Sequence, residues 1–494
     1  MDEYGKSDRS VVPVKPPNKT AVAEVVEERD LVKGNAASAT RPGLRAGHDA
    51  TSALDRVRRR AATDKEARFT ALLHHVTVSR LRAAYWALNP RAATGVDGVT
   101  WEAYGRNLEA HPRDLHARVH RGGYQSRPSR RAYIPKADGR QRPLGIAALE
   151  DKVLQRAVVE VLGAIYEADF AGFSYGFRPG RGPHHALDAL AVGIERKKVN
   201  WVLDADIRDF FTSLDHCWLE KFLEHRIADK RILRLLRKWL KAGVIENGEW
   251  SRTLEGAPQG ASASPLLANV YLHYVLDLWA RWWRSRHAHG DVIIVRFADD
   301  FIVGFEYQDD AQRFLADLRE RFVKFGLELH DQKTRLIEFG RHAARRRKVR
   351  GLGKPETFDF LGFTHLCGKT RDGRFGLRRI TISKRMRTKP RELKQQLQRQ
   401  RHQPVPEQGR WLASVVRGHL AYYAVPGNSK AIRAFHTQAT RHWYQALRRR
   451  SQRTRLNWER MGRLATRWLP PARIMHPWPS MRFNARTQGR SPVR

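Results

Sequence analysis

The stretch Val292-Ile293-Ile294-Val295-Arg296-Phe297-Ala298-Asp299-Asp300-Phe301-Ile302-Val303-Gly304-Phe305 sets two adjacent carboxylates between two β-branched and aromatic runs. Such runs read as strands and an Asp-Asp step between them as turn chemistry, so both acids are expected at a hairpin tip. A packed core has no use for them there. Hard cations such as Mg2+ take oxygen ligands, usually one or two carboxylates together with waters and substrate phosphates. Two such ions, roughly 3.5–4 Å apart, can clamp the attacking and leaving oxygens of a phosphoryl transfer. An exposed acidic hairpin without chemistry is the plain alternative.

A second acidic element lies upstream, Trp201-Val202-Leu203-Asp204-Ala205-Asp206-Ile207-Arg208-Asp209-Phe210-Phe211. Asp204 and Asp206 are two apart in a strand and so share one face. Carboxylates on a sheet face need a counter-charge, which could be metal shared with Asp299 and Asp300, or Arg208 or another arginine. A third element, Gly256-Ala257-Pro258-Gln259-Gly260, precedes Ser262 and Ser264-Pro265 at the start of an apolar helix. Small residues and backbone N–H groups at a helix start allow a nucleotide or template to approach closely. A simple turn explains the same residues.

With 494 residues the chain is long enough for several domains of roughly 100–200 residues each. Lys and Arg total 92 against 51 Asp and Glu, a formal net charge of +41. A polyanion is the expected partner, because every neutralised phosphate releases counterions. The excess is concentrated from Arg378 onward, where 28 basic residues face only Glu392, Glu407 and Glu459. Trp411, Tyr422, Tyr423, Trp443, Tyr444, Trp458, Trp468 and Trp478 are interleaved with that charge. This fits a folded nucleic-acid-binding region better than a basic arm; an aromatic helical core is compatible with both. The two cysteines, Cys217 and Cys367, supply neither a disulfide framework nor a cysteine zinc site. No apolar run approaches membrane-spanning length and the start Met1-Asp2-Glu3-Tyr4 is not a signal peptide. The expectation is a soluble, intracellular protein that acts on nucleic acid, with no membrane partner.

Along the chain, residues 1–60 are rich in Pro, Ala, Ser, Gly and charge and read as a flexible leader, with folding beginning near Glu66. Helices are expected over 69–85, 151–166, 219–240, 264–283 and 310–325. Arg130 to Ile146, turning at Asp138-Gly139, reads as a basic hairpin, and Phe358-Asp359-Phe360-Leu361-Gly362-Phe363 as a short strand pair. Lys333 falls in a loop. After Arg378 the pattern is helical and basic, and no internal repeat is present.

Taken in order, the basic hairpin, the Asp strand, the Pro-Gln-Gly loop entering a helix, the Asp-Asp hairpin, the lysine loop and Phe-Leu-Gly-Phe resemble the reverse transcriptases, in particular those encoded by bacterial group II introns. The likeness covers about residues 66–480. It includes Phe173-Ser174-Tyr175-Gly176-Phe177-Arg178-Pro179-Gly180-Arg181 and Leu266-Leu267-Ala268-Asn269-Val270-Tyr271-Leu272. Downstream, Arg417-Gly418-His419-Leu420-Ala421-Tyr422-Tyr423 and Pro470 to Pro479 look like the maturase-specific thumb, which retroviral, retron and diversity-generating enzymes lack.

The resemblance implies an α+β right hand: fingers and palm over 61–377 with an antiparallel sheet, a mostly helical thumb or maturase domain over 378–480, and a basic tail over 481–494. It implies a catalytic triad of Asp206, Asp299 and Asp300, which with the backbone of Ile207 would bind two Mg2+ ions. Lys136 and Arg142 would hold the triphosphate, with charge-assisted contacts suited to phosphate. Phe211 would crowd a ribose 2′-OH and Gln259 would line the nucleotide pocket. Phe360, Leu361, Gly362 and Lys333 would support primer and template, and the basic face of 378–480 would bind RNA. The implied activity is RNA-directed DNA polymerisation from a primer 3′-OH. Its partners would be dNTPs, an RNA template, a DNA primer or target, and a group II intron RNA whose splicing and mobility the protein assists. The alternative is a splicing cofactor that stabilises intron RNA without catalysis. Phe297 stands where the family more often has Tyr, and Ala261-Ser262-Ala263 replaces a more usual Gly and aliphatic run. No paired-cysteine His-Asn-His nuclease region follows the thumb, so target nicking is expected from elsewhere.

Overall fold

The computed structural model describes residues 48–135, 141–246, 248–251, 255–256, 260–370, 372–451 and 455–486. Helices and three small sheets alternate, an α+β architecture. The first sheet is formed by β1 (Ser129–Pro135), β2 (Gln141–Ile146), β4 (Val244–Glu246) and β5 (Glu249–Ser251) in the order β2-β1-β4-β5. β1 and β2 are the basic hairpin read from the sequence, with Arg130 opposite Ile146 and Ile134 opposite Arg142.

The second sheet joins β3 (Trp201–Ala205), β6 (Val292–Phe297), β7 (Asp300–Phe305) and β8 (Arg335–Glu338) in the order β6-β7-β3-β8, all antiparallel. Its strands are nearly all apolar because both faces are covered, and the two-residue period sorts them. Leu203, Ala205, Ile294, Phe301, Val303 and Phe305 pack into one core with helices Leu149–Asp169, Ser264–Leu272 and Gln308–Lys324. Val202, Val295, Ile302 and Ile337 point the other way, into a second core. That second core is shared with the helix Pro183–Arg196 and with the C-terminal helices. Asp204 and Asp206 are in phase with Val202, as the alternation requires.

The third sheet, β9 (Phe358–Phe360), β10 (Phe363–Lys369) and β11 (Phe375–Thr381), has the order β11-β10-β9. Helices Ser383–Arg399, Val405–Tyr423, Ser429–Arg448, Trp458–Trp468 and Pro479–Arg486 follow. Leu412, Val416, Leu420 and Tyr423 recur at spacings of four and three, which puts them on one buried stripe. Among the described residues no helix is long and apolar enough to cross a membrane.

Several boundaries differ from the sequence reading. Folding starts well before Glu66, because the end of the expected leader 1–60 belongs to the helix His48–Thr63. Leu54, Val57 and Ala61, spaced three and four apart, bury that helix in the first core. The expected helix 69–85 is a short 3-10 turn Leu73–His75 and a helix Val78–Ala87. Helix 219–240 is broken at Asp229, whose carboxylate accepts the Arg231 N–H that starts the next helix and also the N–H groups of Leu72 and Leu73. The boundary at 377/378 falls inside β11, so the C-terminal helical run begins only at Ser383. The expected tail from 481 is helical to Arg486, with Phe483 buried.

Candidate active site

Asp206 lies just beyond β3 and the Asp299-Asp300 step closes the β6–β7 hairpin, where Phe297 pairs with Asp300. β3 and β7 are neighbours, with Asp204 opposite Ile302 and Ala205 opposite Phe301, and that register carries Asp206 towards the tip. Asp206 and Asp299 face one open cavity of about 890 Å3, bordered also by Ile207, Phe211, Lys333 and Phe177. The backbone after β3 is held by the bonds His330 N–H to Asp206 C=O (2.8 Å) and Arg208 N–H to Glu328 C=O (2.8 Å).

Two cations stand against these acids. The Lys333 ammonium pairs with Asp206 Oδ2, and Arg335 donates to Asp204 Oδ2 at 3.3 Å. Arg208 does neither; it pairs with Glu328 at 3.2 Å. Asp204 is thus paired with an arginine, one of the two counter-charges the sequence left open, while Asp206 is paired with Lys333 and borders the cavity.

The electrostatics are those of crowded acids. Asp300 is pushed up to about 7, by the surrounding protein first and then by Asp299, Asp206 and Asp204, with Lys333 opposing. Solvent still reaches the Asp300 side chain, which weakens the desolvation contribution and leaves like-charge repulsion as the durable cause. Asp204 is raised to about 6, chiefly by burial; Arg335 opposes, and Asp359 and Asp206 add to the rise. A cation relieves such repulsion. The donor set is all oxygen, the kind that suits Mg2+. Among the described residues no three carboxylate, imidazole or thiol groups are gathered tightly enough to grip an ion as they stand. The fit is therefore one of donor chemistry and charge.

The remaining expected residues are distributed unevenly. Phe211 borders the cavity, edge-on to buried Phe210 at 5.4 Å between ring centres. Lys136 and Gln259 lie outside the described residues, as does the side chain of Arg142, whose backbone belongs to β2. Phe360, Leu361 and Gly362 are not part of the cavity wall. Leu361 and Gly362 form the two-residue turn between β9 and β10, both at positive φ (46° and 84°), as a tight hairpin demands. That turn is gripped by a C-terminal helix: Tyr422 Oη donates to the Leu361 carbonyl at 2.8 Å, and a Cβ on Gly362 would come within 3.2 Å of Tyr423 Oη. Lys333 is bound to Asp206 and borders the cavity, so it belongs with the acids and not with the Phe-Leu-Gly-Phe turn.

Phe177 escaped the sequence reading. It is exposed, it borders the cavity and its φ is 58°, a strained value for a non-glycine residue. A large apolar side chain held open to solvent in the cavity that Asp206 and Asp299 border suits stacking on a base or sugar. The signal available was a bulky residue between Gly176 and Arg178-Pro179, which read as part of a motif but not as a wall.

A family model described as reverse transcriptase (RNA-dependent DNA polymerase) matches residues 134–365, the segment that holds β3, the Asp-Asp hairpin and Lys333. Protein YkfC of Escherichia coli K12 is 39% identical over 277 residues, covering 49% of this chain and 72% of that protein. The group II intron-encoded protein LtrA of Lactococcus lactis subsp. cremoris is 40% identical over 169 residues, covering 33% of this chain and 28% of that protein. Nuclear intron maturase 3, mitochondrial, of Arabidopsis thaliana is 26% identical over 226 residues, covering 42% of this chain and 31% of that protein.

Proposed function

Because the chain belongs to the reverse transcriptase family, we propose that it extends a primer 3′-OH with dNTPs along an RNA template, using Asp206, Asp299 and Asp300 as the acidic centre. One observation carries this reading: Asp206 and Asp299, 93 residues apart in sequence, face the same cavity as Phe211 and Lys333. The three carboxylates and the Ile207 carbonyl would hold two Mg2+ ions, which when bound neutralise phosphate charge and lower the pKa of the attacking hydroxyl. Lys136 and Arg142 would orient the triphosphate, and Phe211 would exclude a ribose 2′-OH. Lys333, already against Asp206, keeps the acidic cluster from standing uncompensated between substrates. The Phe360-Leu361-Gly362 turn and the helices that grip it would support the primer strand.

The relatives described as intron-encoded proteins and as a maturase extend the reading. We propose that the target RNA includes a group II intron, bound by the basic C-terminal helices, and that the protein assists its splicing and mobility. Fingers and palm to about 377 and a thumb beyond it remain the assignment, with the helical part starting at Ser383. Splicing help without catalysis is the second reading, favoured by the 28 basic residues from Arg378 to Arg494.

Asp299→Ala separates the two. It should abolish Mg2+-dependent dNTP incorporation on an RNA template while intron binding stays within about twofold, because no cation of the basic C-terminal helices is removed. Continued cDNA synthesis by this variant would remove the acidic centre from the mechanism and leave the cofactor reading.

A further inference from the structure

Behind the Asp-Asp tip lies an ion pair with no access to water. Arg296, on β6, and Asp277 both have fully buried side chains. Arg296 Nε and Nη2 donate to Asp277 Oδ1 and Oδ2 at 2.7 and 2.6 Å, a bidentate pair. Its third nitrogen, Nη1, donates to the Ala298 carbonyl at 2.9 Å and to Asn269 Oδ1 at 3.1 Å. Asn269 Nδ2 in turn donates to the Gly176 carbonyl at 2.8 Å. The Arg296 backbone is held as well, its N–H by Phe173 C=O and its C=O by the Tyr175 N–H, each at 2.9 Å.

The group that this network holds is the turn itself. Ala298, first of the two residues at the tip, has φ 58°, a left-handed conformation that an alanine adopts only under constraint. Gly176 presses on it so closely that a Cβ there would lie 2.3 Å from the Ala298 nitrogen. The helix behind is adapted to the purpose. Residues eight apart in an unbroken α-helix point about 80° apart around the axis. The π turn His273–Asp277, inserted between Asn269 and Asp277, takes up part of that angle, and both side chains reach Arg296. His273 offers Asp277 no counter-charge, since burial holds its imidazole well below its ordinary pKa.

We propose that Arg296, aimed by Asp277, is a positioning residue: it pins the Ala298 carbonyl and thereby fixes Asp299 and Asp300 where a divalent cation can be bound. Asn269 and Gly176 close the brace from the other side. The inference rests on the acidic centre proposed above.

Removing one partner alone would strand a buried charge, so the decisive variant replaces both, Arg296→Met with Asp277→Leu, a swap of a buried pair for apolar groups that folds tolerate. The full chain is tested with Mn2+ by electron paramagnetic resonance, without nucleic acid, and by Mg2+ titration of RNA-templated dNTP incorporation. Melting temperature should fall only modestly, since the Ala298 carbonyl and Asn269 Oδ1 lose a donor, and RNA affinity should stay near wild type. Mn2+ binding should weaken roughly tenfold or more, as loss of an outer support for a ligand does, and excess Mg2+ should restore much of the rate. A folded double variant with wild-type Mn2+ affinity and Mg2+ dependence overturns the proposal. If the double variant does not fold, Arg296→Lys decides by the same readouts, because it keeps a charge for Asp277 but cannot also hold the Ala298 carbonyl. Asp299→Ala is the control that separates failures: Mn2+ binding unaltered in that variant would refute the acidic centre, and the proposal with it.

Discussion

The acidic hairpin and the C-terminal helices handle charge in opposite ways. Around the hairpin, single cations are set against particular acids: Lys333 on Asp206, Arg335 on Asp204, Arg296 on Asp277. On the helices, cations outnumber acids and many stand in solvent. Lys394, Arg399 and Arg449 border one groove between the helices Ser383–Arg399 and Ser429–Arg448 with no acid among its lining residues. Chemistry at a fixed point needs placement to fractions of an ångström. Binding a polyanion needs only summed charge, and tolerates mobile side chains. Substitutions in the first region should act steeply and specifically, those in the second gradually and through salt.

The steepest expected effect is at Asp206. Asp206→Asn keeps the shape and removes the charge, and the incorporation rate at saturating dNTP should fall by about three decades, the loss of several kcal/mol of charge stabilisation. Single-turnover primer extension measures it, and a fall below tenfold would place Asp206 outside the reacting centre. Next is Phe211. Phe211→Ala should leave dNTP incorporation within a few-fold but lower discrimination against ribonucleotides by about one to two decades, the range of a steric contact of this size. Unchanged discrimination in competitive incorporation would remove Phe211 from the sugar pocket.

The smallest effect belongs to the groove. Replacing Lys394, Arg399 and Arg449 together by Gln should weaken RNA binding and make the plot of log affinity against log salt shallower by about 0.7–0.9 per lost phosphate contact. The rate on a short primer–template at low salt should hardly move. A parallel shift of the plot, with slope intact, would mean that these three cations do not meet phosphates.

The same contrast explains what could be read from the chain before its fold was known. Strands β3, β6 and β7 and the tip between the last two are local patterns, alternating or continuous apolar runs interrupted by acids, and such patterns survive into the structure. Asp206, Asp299, Phe211 and Lys333 were legible because family motifs mark them, and their meeting in one cavity is a consequence of strand order. Arg296 was illegible. Inside an apolar run it reads as an ordinary polar interruption, and its partner lies 19 residues earlier on a helix whose π turn leaves no trace in hydrophobic period. The helix His48–Thr63 was missed because alanines and arginines dilute its stripe to Leu54, Val57 and Ala61. The break at Asp229 could not be foreseen, since two of the N–H groups its carboxylate serves, those of Leu72 and Leu73, come from a segment more than 150 residues away.

The second face of the β6-β7-β3-β8 sheet has a practical corollary. Val202, Val295, Ile302 and Ile337 share their core with Leu412, Val416 and Leu420 from the C-terminal helices. Cutting the chain near residue 377 would strip a lining from the very sheet that carries the acids, leaving a sticky, misfolding remnant. Truncation is thus a poor scalpel for separating the two roles, because the sheet and the helices that cover it are packed as one core.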